Sequence, residues 1–232
     1  MRYELMQPDH AAQVAEIHIE GQPGTLLTRM GRRFLTRMYA EVVSSMWGFG
    51  VVAVDGETVA AVSVLTTSTG AMFDYLKRRR WLPMGVALLP QLLRRPKLLV
   101  DIFQAWRYPS KLDAGQSGIS SSEDRSSQGD ADSAEFLFIG VRSTYRRQKV
   151  GLAMFDYVLE VCQQRSIGRV LALVDEKNDR LHELGSKRLG HRGWRPLRQI
   201  EFNGRPMDVI EFDLSGDEPI VDPAAPTHED SD

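Results

Sequence analysis

One short stretch carries residue types at a spacing that could hold an anion. Gln148-Lys149-Val150-Gly151-Leu152-Ala153 follows Tyr145-Arg146-Arg147, with Glu135–Val141 just upstream. The upstream run reads as a strand. Gln148–Arg165 reads as a helix, with Val150, Ala153, Met154, Tyr157, Val158 and Val161 on one face. The first turn of a helix presents N–H groups without partners and the positive end of the dipole. Gly151 and Ala153 are small enough for a phosphate to reach the backbone, and Arg146, Arg147 and Lys149 add charge. Loop and helix start are therefore a candidate pyrophosphate site. The competing reading is a helix start with a packing glycine.

Other chemistry finds less support. His182 and His191 have no partner at a telling spacing and read as surface residues. Cys162 shares a helix face with Val158 and Val161 and reads as core. Tyr145 reads as a packing residue of the basic loop. No Cys/His cluster has metal spacing, and no nucleotide-loop glycine pattern or serine elbow is present. The net charge of -2 over 232 residues argues against nucleic acid. A single cysteine fits a reducing cytoplasm.

The elements that must position the site can be read from periodicity. Met1–Met6 alternates like a strand, Pro8–Glu20 and Leu26–Val43 read as helices, and Phe49–Val54 and Thr58–Leu65 pair through Asp55-Gly56. Ala71–Tyr108 predicts two or three helices interrupted at Pro83, Pro90 and Pro96. Lys111–Ala134 is too polar to order and reads as mobile. Arg169–Val174 is a strand and Asn178–Leu189 a helix. Arg195–Phe202 and Pro206–Leu214 form a hairpin through Asn203-Gly204, and Ser215–Asp232 is a disordered acidic tail. The order fits one α/β (α+β) domain over 1–214, with a mixed, mostly antiparallel sheet of about seven strands flanked by helices and a helical insert over 71–110.

Gln148-x-x-Gly151-x-Ala153 resembles the Gln/Arg-x-x-Gly-x-Gly/Ala signature of the GNAT acetyltransferases. Ile139-Gly140-Val141, Tyr145-Arg146-Arg147, Asn178 and Gly193-Trp194 look like the family's flanking residues. The resemblance implies acetyl-CoA as acyl donor and a primary amine as acceptor: a small amine, an amino sugar or a peptide N-terminus. It implies a V-shaped opening between the Glu135–Val141 and Arg169–Val174 strands, splayed by a bulge. Backbone groups of Ile139 and Val141 would meet the pantetheine arm, with the Val141 N–H polarising the thioester carbonyl. Arg146, Arg147, Gln148, Lys149, Val150, Gly151, Leu152 and Ala153 would hold the pyrophosphate, and Asn178 would complete the cofactor set. The sequence departs from the family at Leu189, where a tyrosine acid is common, and at Leu173, where a carboxylate base is common. Glu135, at the mouth of the cofactor strand, is the candidate base; its alternative is a solvated strand-end acid.

The departures leave a second reading of the same fold, a non-catalytic acyl-CoA sensor or a membrane-peripheral binding module. Lys77–Lys111 holds nine basic residues against one acid, Asp101. That insert reads as amphipathic helices capping the substrate side with a solvated basic face. Its functional alternatives are a pocket for an acidic acceptor or contact with a membrane surface.

Overall fold

A computed structural model describes residues 1–107, 133–178, 182–183, 185, 194–202 and 205–215. The middle strands are nearly continuous apolar runs. Gly48–Asp55 (β2) and Thr58–Thr66 (β3) are buried along almost their whole length, as strands covered on both faces must be. Arg2–Leu5 (β1) closes one edge. Ser133–Val141 (β4), Arg169–Asp175 (β5), Trp194–Phe202 (β6) and Arg205–Asp213 (β7) complete seven strands in the order β1-β2-β3-β4-β5-β7-β6. Every pairing is antiparallel except β4 with β5. The sheet is thus the mixed, mostly antiparallel one expected. The β2–β3 turn is one residue off: Asp55 pairs with Thr58, so Gly56-Glu57 are central, with Gly56 at φ 59°.

Helices cover both faces. Val150–Gln164 (α7 below) packs Met154, Val158, Val161 and Cys162 against Val170, Ala172, Ile210 and Phe212. The other face holds Ala11–Gly21 (α1), Leu26–Met30 (α2) and Arg32–Ser44 (α3). Val14, Ile17, Leu35 and Tyr39 pack there on Val52, Val62 and Val64. The single helix expected over Leu26–Val43 is broken at Gly31, whose φ of 89° and ψ of 167° no side chain tolerates well. A Cβ at that position would also strike the Gln91 side chain. Gly31→Ala should cost about 2 kcal/mol, read as a lower chemical-denaturation midpoint at unchanged m-value.

The insert is three helices, Thr69–Arg79 (α4), Trp81–Arg94 (α5) and Leu98–Arg107 (α6). Ser68 caps α4, its Oγ accepting from the Ala71 N–H at 3.3 Å, so the helix starts two residues before the expected Ala71. Pro83 and Pro90 do not interrupt α5. Pro83 lies in the first turn, where no N–H is needed. Pro90 leaves the Val86 carbonyl without its helical donor, but Val86 is exposed and water can reach it. The breaks fall at Arg80 and at Arg95-Pro96. Leu88 and Leu98 pack on Met30 and Phe34. Buried Glu41 of α3 pairs with Arg37 (2.6 Å) and with Arg80 (2.9 Å), tying the α4–α5 corner down.

β4 begins at Ser133, so Ser133 and Ala134 belong to the sheet rather than to the expected mobile segment. Ser215 likewise still donates from its N–H to Asp213 at 3.0 Å. The readings for 111–132, for most of 178–189, for Asn203-Gly204 and for 216–232 fall outside the described residues.

Candidate functional site

The sheet opens between β4 and β5. β4 pairs with β5 only at Ser133↔Arg169, Ala134↔Val170 and Glu135↔Leu171. Beyond that point β4 follows β3 to Ala61↔Val141, while β5 follows β7 to Asp175↔Met207. The cause is a bulge. Val64 pairs with Phe138 and Leu65 with Phe136, leaving Leu137 over. Phe136 points to the α7 side, beside Phe155. Leu137 and Phe138 both turn to the α1–α3 side, so the alternation of faces is broken there. The Arg142 N–H donates to Ala60 at 2.8 Å. With a period of two, the N–H groups of Val141 and Ile139 face the opposite way, into the opening. Ile139 is 43 % exposed in a strand whose other residues are buried or half-buried.

The basic loop sits at the wide end. Gln148 and Lys149 are not helical, because Arg147 and Lys149 take left-handed φ values of 67° and 61°; the helix starts at Val150. Two left-handed residues turn the four-residue loop sharply into the helix N-terminus, where first-turn N–H groups favour an anion. Leu152 and Ala153 donate to the Lys149 carbonyl at 3.1 and 3.2 Å, so the N–H groups of Val150 and Gly151 are the first-turn donors without a helical acceptor. A Cβ on Gly151 would meet Val141 Cγ2 at 3.1 Å and otherwise open space. Gly151 therefore both packs on β4 and leaves the approach to its N–H clear.

The expected cofactor residues divide by what they present. Arg146, Arg147, Gln148 and Lys149 are exposed. The Arg146 Nε donates to the Val141 carbonyl at 3.2 Å, and Gln148 Nε2 to the Thr144 carbonyl at 2.9 Å. Gln148 thus shapes the loop. Val150 is buried and Leu152 partly so, which leaves only their backbone for a ligand. Ala153, expected on the core face, is exposed instead, one small residue on the outer side of the first turn. Tyr145 donates to Asp55 at 3.0 Å, a packing role. Asn178 follows β5, its N–H bonded to the Asp175 carbonyl at 2.8 Å. The C-terminal ends of two parallel strands bring it to the same edge as the loop.

Glu135 occupies the last β4–β5 pair before the opening, on the face opposite α7. It is half-buried, and burial pushes its carboxyl above the ordinary carboxylate range. A hydrogen bond from Thr69, the first residue of α4, pulls it partly back. The sequence reading missed Thr69; the Ser68-Thr69 pair ahead of an apolar run was the signal for it. Leu173 lies two residues along β5 from Leu171, on the face Glu135 shares. His182 touches Asp208 at 3.3 Å. Cys162 is buried, its thiol pushed up to about 12 by desolvation, as a core residue requires. His18, buried beneath Phe138, shares a 2.6 Å hydrogen bond with Tyr39, and desolvation lowers it to about 4, so it stays neutral. Among the described residues no group of His, Cys, Asp and Glu is placed to hold a metal ion.

A seven-stranded sheet split at a bulge, with a basic loop and a helix N-terminus at the wide end, defines the GNAT fold. Solved structures share it. One described as an acetyltransferase superposes at a TM-score of 0.56 and 10 % identity, covering 92 % of this chain and 100 % of its own. Arabidopsis thaliana NAA60 in complex with acetyl-CoA gives 0.54 at 14 %, covering 93 % and 99 %. The ribosomal-protein-S18-alanine N-acetyltransferase from Escherichia coli gives 0.50 at 10 %, covering 95 % and 99 %. No curated protein matches the chain in sequence. Residues 115–191 match the acetyltransferase (GNAT) family, a span that holds β4, the basic loop and β5. The chain thus has the GNAT fold, with three helices between β3 and β4.

Proposed function

We propose that this chain, as one acyltransferase domain over 1–214, transfers the acetyl group of acetyl-CoA to a primary amine by direct attack. The observation that carries the reading is the β4–β5 opening, with the anion-binding loop at one end and Glu135 at the other. Six residue steps of strand separate Glu135 from Val141, about 20 Å, comparable to an extended pantetheine arm. Arg146, Arg147, Lys149 and the Val150 and Gly151 N–H groups hold the pyrophosphate. The Ile139 and Val141 N–H groups bond the pantetheine arm, which carries the thioester along β4 to the Glu135 end; Val141 itself is too far from Glu135 to polarise the carbonyl this base serves. Glu135 takes a proton from the ammonium so that the free amine can attack. The bond formed is amine nitrogen to acyl carbon; the bond broken is acyl carbon to sulfur, and the thiolate leaves. The acceptor is a small amine, an amino sugar or a peptide N-terminus, and the buried, unpaired Cys162 suits a cytoplasmic setting.

The test is thiol release from acetyl-CoA across a panel of small amines, amino sugars and short peptides. Turnover with any of them supports the reading. Tight donor binding with no thiol release from the whole panel supports the sensor reading, which Leu173 beside the opening favours. A narrower test addresses the base. Thr69→Val removes the hydrogen bond that lowers Glu135, so the acidic limb of the kcat/KM profile should move to higher pH. An unmoved limb would mean that another group titrates.

A further inference from the structure

The insert carries a surface that catalysis does not use. α5 has two apolar stripes. Met84, Leu88 and Leu92 face Met30 and Phe34. Leu82, Val86, Leu89 and Leu93, spaced i, i+4, i+7 and i+11, run along another side of the helix and are 52–85 % exposed. A helix that is apolar all round belongs in surroundings that are apolar on both sides. The stripe is bracketed by charge of one sign. Exposed Lys77, Arg78 and Arg79 precede it, and exposed Arg94, Arg95 and Lys97 follow it. Tyr75–Val100 contains no Asp or Glu. Asp74 reaches Arg78 at 4.0 Å, and Asp101 is held by Arg29. Trp81, 63 % exposed, stands at the basic N-terminal end of α5, an amphipathic ring of the kind that sits at headgroup level.

We infer that this face of α5 docks on an anionic phospholipid surface. The stripe enters the boundary between headgroups and acyl chains, and the two basic clusters meet the phosphates. Charge complementarity selects this occupant. A second copy would bring identical basic rims together across a two-fold axis, an arrangement that like-charge repulsion opposes. α5 has 14 residues, about 21 Å, too short to span a bilayer, so the contact it makes is peripheral.

The experiment is co-sedimentation of the full chain with phosphatidylcholine vesicles, with and without phosphatidylglycerol, at low and high salt. The chain should pellet with the anionic vesicles alone, and high salt should release most of it. Val86→Glu/Leu93→Glu, at two exposed positions, should lose at least about tenfold in vesicle affinity with thermal stability unchanged. Arg78→Gln/Arg79→Gln/Arg94→Gln/Arg95→Gln should do the same. No pelleting of the full chain, or equal pelleting with neutral vesicles, overturns the inference. So does a wild-type dimer in free solution that Val86→Glu/Leu93→Glu makes monomeric, because the face would then cover a second copy. Pelleting gained only when the six acids of the tail are changed to amides would assign the face to the tail instead.

Discussion

Gly151→Glu should weaken acetyl-CoA binding by at least about 100-fold in calorimetry while the chain stays folded. The added Cβ meets Val141 Cγ2 at 3.1 Å, a contact a small shift relieves, and the rest of the side chain enters open space. A carboxylate in the first turn of a helix is favourable to the helix itself, since it faces the positive end of the dipole. Stability therefore should not fall, and the loss can be assigned to the site. The carboxylate takes the place of the pyrophosphate at the Val150 and Gly151 N–H groups and repels it. Two unit charges about 4 Å apart at an effective dielectric near 20 interact by about 4 kcal/mol. Solvent screening at an exposed loop reduces that, which is why about 100-fold, near 2.8 kcal/mol, is the expected floor. Gly151→Ala supplies the control, with the same Val141 contact and no charge, and should cost only a few-fold. If alanine is as damaging as glutamate, Gly151 acts by packing on β4. If neither change matters, the phosphates lie elsewhere.

The strand, basic loop and helix start of the candidate cofactor site were legible in the sequence because they are local. Arg146 to Ala153 are contiguous, and a strand, a basic loop and a helix start follow from the period of the apolar residues. Two details escaped. The left-handed φ of Arg147 and Lys149 is a loop geometry that neither residue type announces, and it moved the helix start to Val150. Ala153 lies at the edge of the apolar stripe, on the outer side of the first turn. The bulge at Leu137 was anticipated through the family resemblance, not through the residues, since Phe136-Leu137-Phe138 reads as an ordinary apolar strand. The acceptor half depends on contacts between distant segments. Thr69 and Glu135 are 66 positions apart, and no periodicity links them. The same holds for His18 and Tyr39, a pair formed when α1 and α3 close over Phe138. The insert shows the opposite failure. Prolines at 83 and 90 suggested breaks, but one falls in a first turn and the other opposite an exposed carbonyl. Tertiary position, rather than residue type, decided both.

Glu135→Gln should lower kcat/KM by about 100-fold or more and remove the acidic limb of its pH profile. Gln keeps the shape of the side chain and can still accept the Thr69 hydrogen bond, so the variant changes the proton chemistry and little else. The environment sets the expectation. Burial raises the carboxyl above its ordinary range, toward the pH at which a base is both ionised and able to hold a proton. The same shift fixes a stability signature. A carboxyl that holds its proton more tightly folded than unfolded contributes stability in full below the ordinary carboxylate range. That contribution is lost as pH rises through the raised folded value. Wild type thus carries an ionised, half-buried Glu135 at neutral and higher pH, a cost that Gln does not have. The melting temperature of Glu135→Gln should exceed that of wild type at pH 8, and the gap should close as pH falls through the carboxylate range. Acyl-CoA affinity should be unchanged, because the donor is held at the other end of β4. A fall in kcat that leaves the profile intact would make Glu135 a positioning residue. Unchanged turnover together with the melting-temperature gap would leave it a structural acid, and the base would have to be found among the groups facing the opening from α1 or β5.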